Sequence, residues 1–369
     1  MKKDSLKKYI LLEGKSEDVL PTLPENFCQT MITSPPYWAL RDYFNKDQLG
    51  QEGSPEEFVE HLVSIFREAK RVLRDDGTLW LNIGDSYNNS SGFCRATNGW
   101  GRKGRSKGSA DKVAVKHPYI KKKELFGVPW MLAVAMQKDG WYLRCDIIWE
   151  KTNPMPDGAK DRPTHGHEYL FLFSQKPKYF YDYYGVLEET KEKPQQVQSF
   201  GARNQKGTFR MDQDRTFEHY GRRNRRSVWR TAVSSFQGDH FATYPVKLIL
   251  PCILASTSEA GCCVKCGTAW TRGYEKEKVP ADNKKGYEMR LVDKGFSKAC
   301  KCKTKDTRPC IVMDPFSGMA TTGIGALNEG RYYAGIELNP DYLKKSNERI
   351  NTPFDMFKVR EKDPKEMLL

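Results

Sequence analysis

Apolar residues along this chain fall into short runs separated by polar turns. Residues 9–13 (YILLE) and 28–33 (CQTMIT) read as short buried strands, with a short helix and a turn at 16–26 between them. Residues 55–74 carry Phe58, Val59, Leu62, Ile65, Phe66, Ala69, Val72 and Leu73 at helical spacing, with Pro55 in the first turn and Glu56 and Glu57 at a suitable N-terminus. The Asp-Asp-Gly at 75–77 then predicts a turn into the strand TLWLNIG. Further along, 127–139 reads as a helix, 141–151 and 167–175 as strands, and 177–182 as the start of another segment. The last third reads as a helix at 245–255, a strand at 310–316, a helix at 321–329 and a strand at 331–338. Buried-type strands alternating with helices predict an α/β fold built on a mostly parallel, doubly wound sheet.

Three stretches interrupt the pattern. Residues 86–124 hold ten Lys/Arg against two acids, 190–227 are rich in Gln, Lys and Arg and end in GRRNRRS, and 256–309 contain a cysteine cluster. All three read as insertions on one scaffold, so residues 1–369 are expected to form a single domain. The chain is 38% hydrophobic and 12% aromatic, which predicts a core plus substantial polar loops. Its net charge of +14 favours a polyanionic partner. No apolar run approaches the roughly 20 residues of a membrane span, and the apolar part of the basic opening is too short for a signal-peptide core. Ten cysteines are present and five fall between Cys262 and Cys302, a clustering that points to metal ligation in a reducing compartment.

Two motifs carry chemistry. The first is MITSPPYWAL at 31–40. Pro35 and Pro36 have no N–H for a ladder and hold their neighbours extended, so a strand must end there. Carbonyls, the Ser34 hydroxyl and the Tyr37 ring are left facing outward. The second is the strand, turn, helix, strand order of 311–342. Asp314 ends its strand, Gly318 lets backbone approach a ligand, and the following helix offers free N–H groups. Glu337, about 20 residues on, suits ribose hydroxyls. The turn lacks both G-x-G-x-x-G and a phosphate-loop lysine, which favours an adenosine-bearing cofactor over a nucleoside triphosphate.

Together, ITSPPYW and the later DPFSG…TT…GIELNPDY resemble the amino-group DNA methyltransferases that use S-adenosylmethionine. Placing the catalytic tetrapeptide first and the cofactor turn last resembles their β class, a circular rearrangement. The intervening GTLWLNIGDSY, WYLRCDIIWEKTNPMP…DRPTHGHEYLFLFS, RRSVW and HFATYPVKLI extend the similarity over residues 10 to 350. The resemblance implies a Rossmann-like sheet of seven strands. It also implies a cofactor site drawn from Asp314, Phe316, Gly318, Thr321, Glu337, His240, Phe241, Thr243 and Pro245. Two positions depart from the family pattern. Ala320 stands where the turn usually has a second glycine, and Gly14 is followed by Lys15 where the family has aspartate, with Glu17 or Asp18 as candidate replacements.

The exocyclic amine of a base is a poor nucleophile, because its lone pair is delocalised into the ring. The Ser34 hydroxyl and Pro35 carbonyl can accept its two N–H groups and free that lone pair, while Tyr37 stacks on the base, so Ser34, Pro35, Pro36 and Tyr37 form the expected catalytic set. The base must leave the duplex to reach them. Serine at the first position resembles the cytosine-N4 signature, with adenine N6 as the alternative. Carbon-5 chemistry is excluded, since Pro251-Cys252 and Pro309-Cys310 have no catalytic context. A catalytically decayed DNA-binding protein and an enzyme acting on RNA or protein amines are the other classes. Double-stranded DNA is the expected partner, gripped by Arg102, Lys103, Arg105 and Lys107 in one basic loop and by Arg222, Arg223, Arg225 and Arg226 in the other. A homodimer and a cognate restriction enzyme stay open as further partners. The resemblance implies a cytoplasmic protein of a prokaryote or phage, working at the nucleoid and in contact with no membrane. Cys263, Cys266, Cys300 and Cys302 suit a structural zinc, with Cys262 as a substitute ligand.

Overall fold

A computed structural model describes residues 8–38, 47–88, 116–189, 222–233, 243–280 and 287–352. The main sheet contains β1 (Tyr9–Glu13), β2 (Cys28–Thr33), β3 (Leu73–Ile83), β4 (Tyr142–Lys151), β5 (His167–Ser174), β6 (Val228–Thr231), β7 (Ile311–Asp314) and β8 (Tyr332–Glu337). Their spatial order is β1-β8-β7-β2-β3-β5-β4-β6. The first five in that order are mutually parallel, β5 is antiparallel to both β3 and β4, and β6 is parallel to β4. The sheet therefore has eight strands rather than seven, the extra one being the short β6 of the RRSVW segment.

Helices α1 (Ser16–Val19), α2 (Pro55–Val72), α3 (Val128–Lys138), α4 (Val246–Ser256), α5 (Thr321–Asn328) and α6 (Pro340–Asn351) complete the scaffold. One core packs α2 and α3 against the sheet through Phe58, Leu62, Phe66, Leu132 and Met136. The other packs α4 and α5 on the opposite face through Leu248, Ile249, Ile253 and Ala326. Burying side chains of that size stabilises by roughly 1.5–3 kcal/mol each, enough to fix which face each helix takes.

Local sequence sets the helix ends. The Ser54 hydroxyl accepts from the Glu57 amide at 3.2 Å, and Glu57 reaches back to the Gly53 amide at 2.9 Å, a capping arrangement ahead of Pro55. Helix α3 has no cap of its own. Asp85, just past β3, accepts from the Gly127 amide at 2.9 Å and the Val128 amide at 3.3 Å. Three expectations change. Strand β1 is an edge strand with Ile10 exposed, not a buried one. Residues 75–77 are not a turn between elements: the strand begins at Leu73 opposite Cys28, and 74–77 bulge out before Thr78 meets Thr30. Helix α6 was not foreseen, although Asn339 caps it at 2.9 Å ahead of Pro340.

Within 256–309 lies an antiparallel hairpin, Thr271–Pro280 with Tyr287–Ser297. Arg272 anchors it, donating to Asp182 at 3.1 Å and Asp293 at 2.9 Å. No helix among the described residues is long and apolar enough to cross a membrane.

The topology creates one special seam. From β2 the chain crosses through α2 to β3 on one side, and from β7 it crosses through α5 to β8 on the other. The two helices lie on opposite faces, so a crevice opens at the carboxyl ends of β2 and β7, where ligands bind in open α/β sheets.

Candidate active site

A cavity of about 350 Å³ occupies that crevice. The loop after β1, the tetrapeptide after β2, the turn after β7 and the residues after β8 all line it, with Asn82, Trp149, Lys151 and Glu168 forming the far wall. The two motifs read from the sequence, almost 300 residues apart, thus face one space.

At one end the chain supplies backbone amides and a half-buried carboxylate. Glu337 accepts from the Gly318 amide at 2.8 Å and from the Asn339 amide at 2.8 Å. Burial pushes its carboxyl up to about 7, despite the opposing effect of those two amides. Gly318 has φ +50°, and a Cβ placed there would meet no protein atom within 4 Å. Helix α6 braces this turn, with the Ser346 hydroxyl donating to the Gly318 carbonyl at 2.6 Å and Arg349 donating to the Met319 carbonyl at 2.7 Å. Ser16 donates to the Pro315 carbonyl and ties the loop after β1 to the same turn.

Ala320, at the second-glycine position, has φ +54° and is fully buried. A left-handed conformation costs an L-residue roughly 1–2 kcal/mol, so the turn keeps its glycine-like shape at some expense in stability. At the other departure, Lys15 reaches Asp47 at 3.0 Å. Glu17 lines the cavity and lies 2.6 Å from the His61 ring, whereas Asp18 is not part of the wall.

Asp314 is wholly buried at the seam. Its Oδ1 accepts from the Thr33 hydroxyl at 2.6 Å and the Phe316 amide at 3.0 Å; its Oδ2 accepts from the Thr322 hydroxyl at 2.7 Å and the Tyr244 hydroxyl at 3.1 Å. Burial raises its proton affinity and these four donors oppose the shift. Each carboxylate oxygen already holds two donors, so Asp314 shapes the wall rather than offering an open acceptor. Phe316, Thr321 and Thr243 also line the cavity, while Pro245 caps α4 outside it. His240 and Phe241 lie outside the described residues, as do Arg102, Lys103, Arg105 and Lys107.

The tetrapeptide forms the other end. Trp38 is buried edge-on to Phe126 at 4.7 Å and donates to the Glu52 carbonyl at 3.1 Å, which pins the exit from β2. Ser34 donates to the Tyr37 hydroxyl at 3.4 Å, and Tyr37 donates to Glu168 Oε2 at 2.6 Å. Glu168 is salt-bridged through Oε1 to Lys151 at 2.5 Å.

Away from the cavity, Arg223 and Arg226 pair with Glu188 at 2.8 and 3.2 Å, and Arg225 lies 5.6 Å from the Trp229 ring. Arg222 and Arg226 are exposed, and Arg223 is half-buried. The Sγ atoms of Cys263, Cys266, Cys300 and Cys302 all lie within 4.8 Å of one another. Cys262 stands apart from them, buried, with its sulfur accepting from Gln29 at 3.5 Å.

Sequence reasoning missed Asn82, Lys151, Glu168 and Tyr244. The first three are polar residues at the ends of apolar strands, a signal present in LWLNIG, IIWEK and HEYLFLF. Tyr244 sits between the anticipated Thr243 and Pro245, and its hydroxyl points into the Asp314 cluster.

The chain matches the N6_N4_Mtase DNA methylase family over residues 28–264 and 301–348. It belongs to that family, and is therefore an amino-group DNA methyltransferase. It is 39% identical over 336 residues to the type II methyltransferase M.Cfr9I of Citrobacter freundii, covering 90% of this chain and 84% of that one. With M.SmaI of Serratia marcescens it shares 33% over 341 residues, 92% and 90% of the two chains. Among solved structures its fold resembles PvuII DNA methyltransferase (cytosine-N4-specific), with a TM-score of 0.52 and 16% identity over 92% of this chain and 86% of that one.

The seam should be sensitive to its central carboxylate. Asp314→Asn presents an amide N–H₂ to at least one donor and should destabilise by about 1–3 kcal/mol. Urea denaturation should show a lower midpoint at an unchanged slope; a midpoint within error of the parent would mean the four donors are satisfied without the charge.

Proposed function

We propose that this protein is a type II, site-specific DNA methyltransferase that moves a methyl group from S-adenosylmethionine to the exocyclic amine of a flipped base, with cytosine N4 as the favoured atom. One observation carries the reading: Ser34-Pro35-Pro36-Tyr37 and the Gly318–Glu337 turn open onto the same cavity. The type II names of the relatives support the class, and a restriction–modification setting follows from it. The preference for cytosine rests on serine as the first residue of the tetrapeptide; adenine N6 is the competing outcome. An intact cavity with both motifs in place speaks for an enzyme over a decayed binding protein. The chain is read as one catalytic domain with three insertions.

The cavity residues fit such a cofactor. Glu337 offers its remaining lone pairs to ribose hydroxyls, Gly318 leaves room beside its backbone, and Phe316 offers an apolar surface. S-adenosylmethionine supplies an electrophilic methyl on a sulfonium. Ser34 and the Pro35 carbonyl would accept the two amine N–H groups, which would draw the nitrogen toward tetrahedral geometry and free its lone pair for the methyl that the cofactor would supply. The methylated nitrogen would then release one proton to water. Tyr37, anchored through its hydroxyl, holds the base face. DNA would approach over the basic loops, where Arg222 and Arg226 are exposed.

The four-cysteine cluster fits zinc, whose tetrahedral thiolates sit about 3.8 Å apart for Zn–S bonds near 2.3 Å. Its position argues for a structural ion. Gln29, at the start of β2, donates to the Gly267 carbonyl at 3.2 Å and accepts from the Ile311 amide at 2.6 Å; Arg74 donates to the Cys266 carbonyl at 2.6 Å. The cluster thus docks at the amino ends of β2, β3 and β7, a strand length of about 16 Å from Ser34.

Four outcomes test these readings. Ser34→Ala should keep cofactor affinity and lose methyl transfer by about 100-fold or more. Digestion of methylated DNA to nucleosides identifies the base, and N6-methyladenine in place of N4-methylcytosine would reassign the target. Because ribose contact needs the Glu337 carboxylate and its carboxyl titrates at about 7, cofactor affinity should rise with pH, by up to about tenfold per unit below pH 7, and level off above it. Calorimetry from pH 6 to 8.5 should show that rise in the parent and a flat profile in Glu337→Gln. Elemental analysis of protein purified without added metal should give about one zinc per chain, and chelation should lower its melting temperature; a folded, metal-free preparation of the same stability would refute the zinc.

A further inference from the structure

We propose that Glu168, held by Lys151, sets the direction of a hydrogen-bond chain through Tyr37 to Ser34 and so turns the Ser34 oxygen, rather than its proton, toward the reacting amine. The inference rests on Ser34 being the amine acceptor. A serine hydroxyl can donate or accept, and it rotates to suit its neighbours. A site that must accept an amine N–H therefore needs somewhere else for the serine proton to go.

The geometry supplies that place. The Tyr37 hydroxyl has one proton and two acceptors beside it: Glu168 Oε2 at 2.6 Å and Asn82 Oδ1 at 3.2 Å. The Asn82 amide is oriented by its own bonds, since its Nδ2 donates to the Tyr169 carbonyl at 3.0 Å and to Glu168 Oε2 at 3.2 Å. Its oxygen must then face Tyr37. A carboxylate accepts only, so the tyrosine proton is drawn to that side and a phenol lone pair is left toward Ser34, 3.4 Å away. The serine proton fills it, and the serine lone pairs are left for the cavity.

Lys151 makes the arrangement one-way. Its ammonium occupies Glu168 Oε1, leaving Oε2 for Tyr37 and Asn82. The pair is largely shielded, with 21% and 13% of the Lys151 and Glu168 side chains exposed, which strengthens a charge-assisted bond. Lys151 also lies 5.1 Å from the Trp149 ring, which restrains it. Glu168 touches no reacting atom in this scheme. It is a positioning residue acting through two hydroxyls.

The test is a kinetic cycle on the full-length enzyme with duplex DNA and S-adenosylmethionine. Glu168→Gln and Tyr37→Phe should each lower kcat by about 10- to 100-fold, with the cofactor KM within twofold of the parent. In a Ser34→Ala background, Glu168→Gln should cause no further loss, because the hydroxyl it orients is gone. Thermal melts accompany each variant; should Glu168→Gln fail to fold, the Tyr37→Phe and Ser34→Ala cycle reads the same coupling with every charge in place. An inactive Ser34→Ala enzyme beside a fully active Glu168→Gln enzyme overturns the polarity chain alone. An equal loss from Glu168→Gln with and without Ser34 also overturns it, since the glutamate would then act elsewhere. A Ser34→Ala enzyme of parental kcat brings down the role of the tetrapeptide and the chain built on it.

Discussion

The bond set around Asp314 is the constraint on which the site depends. A carboxylate removed from water is costly unless donors replace its hydration. Here they come from four places in the sequence: Thr33 at the end of β2, Phe316 in the turn, Thr322 in α5 and Tyr244 ahead of α4. The Thr322 oxygen also lies 3.2 Å from the Ile32 carbonyl. One side chain thereby fixes the distance between the tetrapeptide strand and the cofactor-turn strand. The seam between β2 and β7 is where the sheet changes winding direction, and where no crossover helix bridges the two motifs directly. The same seam carries two register pairs, Val312 with Thr30 and Met313 with Met31.

The strength of the sequence signal followed the range of the interactions behind it. Helix α2 was readable because seven apolar residues at helical spacing, a proline and two glutamates all report the same local geometry; the eighth, Leu73, already belongs to β3. The tetrapeptide was readable because two prolines forbid strand continuation regardless of context. Asp314 was recognisable as the end of its strand, but its saturation by four donors was not, since those donors are spread over residues 33 to 322. Glu168 and Lys151 are 17 residues apart and meet only because β4 and β5 pair as an antiparallel ladder. That pairing is invisible to periodicity. The bulge at 74–77 looked like a turn for a related reason: Asp-Asp-Gly signals broken regularity in both cases, and only the partner strand distinguishes them.

The two edges of the sheet carry opposite demands. At the amino edge, Gln29 and Arg74 bind backbone carbonyls of the cysteine knuckle, and Gln29 also holds the first amide of β7. These contacts tie three strand starts together and ask nothing of a ligand. At the carboxyl edge, the chain leaves each strand through a turn that must stay open to solvent and ligand. An insertion that stiffens the far edge can secure strand spacing without intruding on the cavity. The cysteine-rich segment thus sits at the strand starts, at the opposite end of the sheet from the cavity.

Three carboxylates then divide the work by how their hydrogen bonds are filled. Asp314 is saturated by four protein donors and becomes structure. Glu337 accepts from backbone amides at the cavity wall, those of Gly318 and Asn339 among them, and burial pushes its carboxyl up to about 7. Glu168 is neutralised on one oxygen by Lys151 and uses the other to orient hydroxyls. The residue type is nearly constant across the three, and the charge before folding is the same. What differs is the number and kind of donors each strand end delivers. The same acidic side chain can therefore clamp, bind or polarise within one cavity, and the choice among those roles lies in its neighbours rather than in the residue itself.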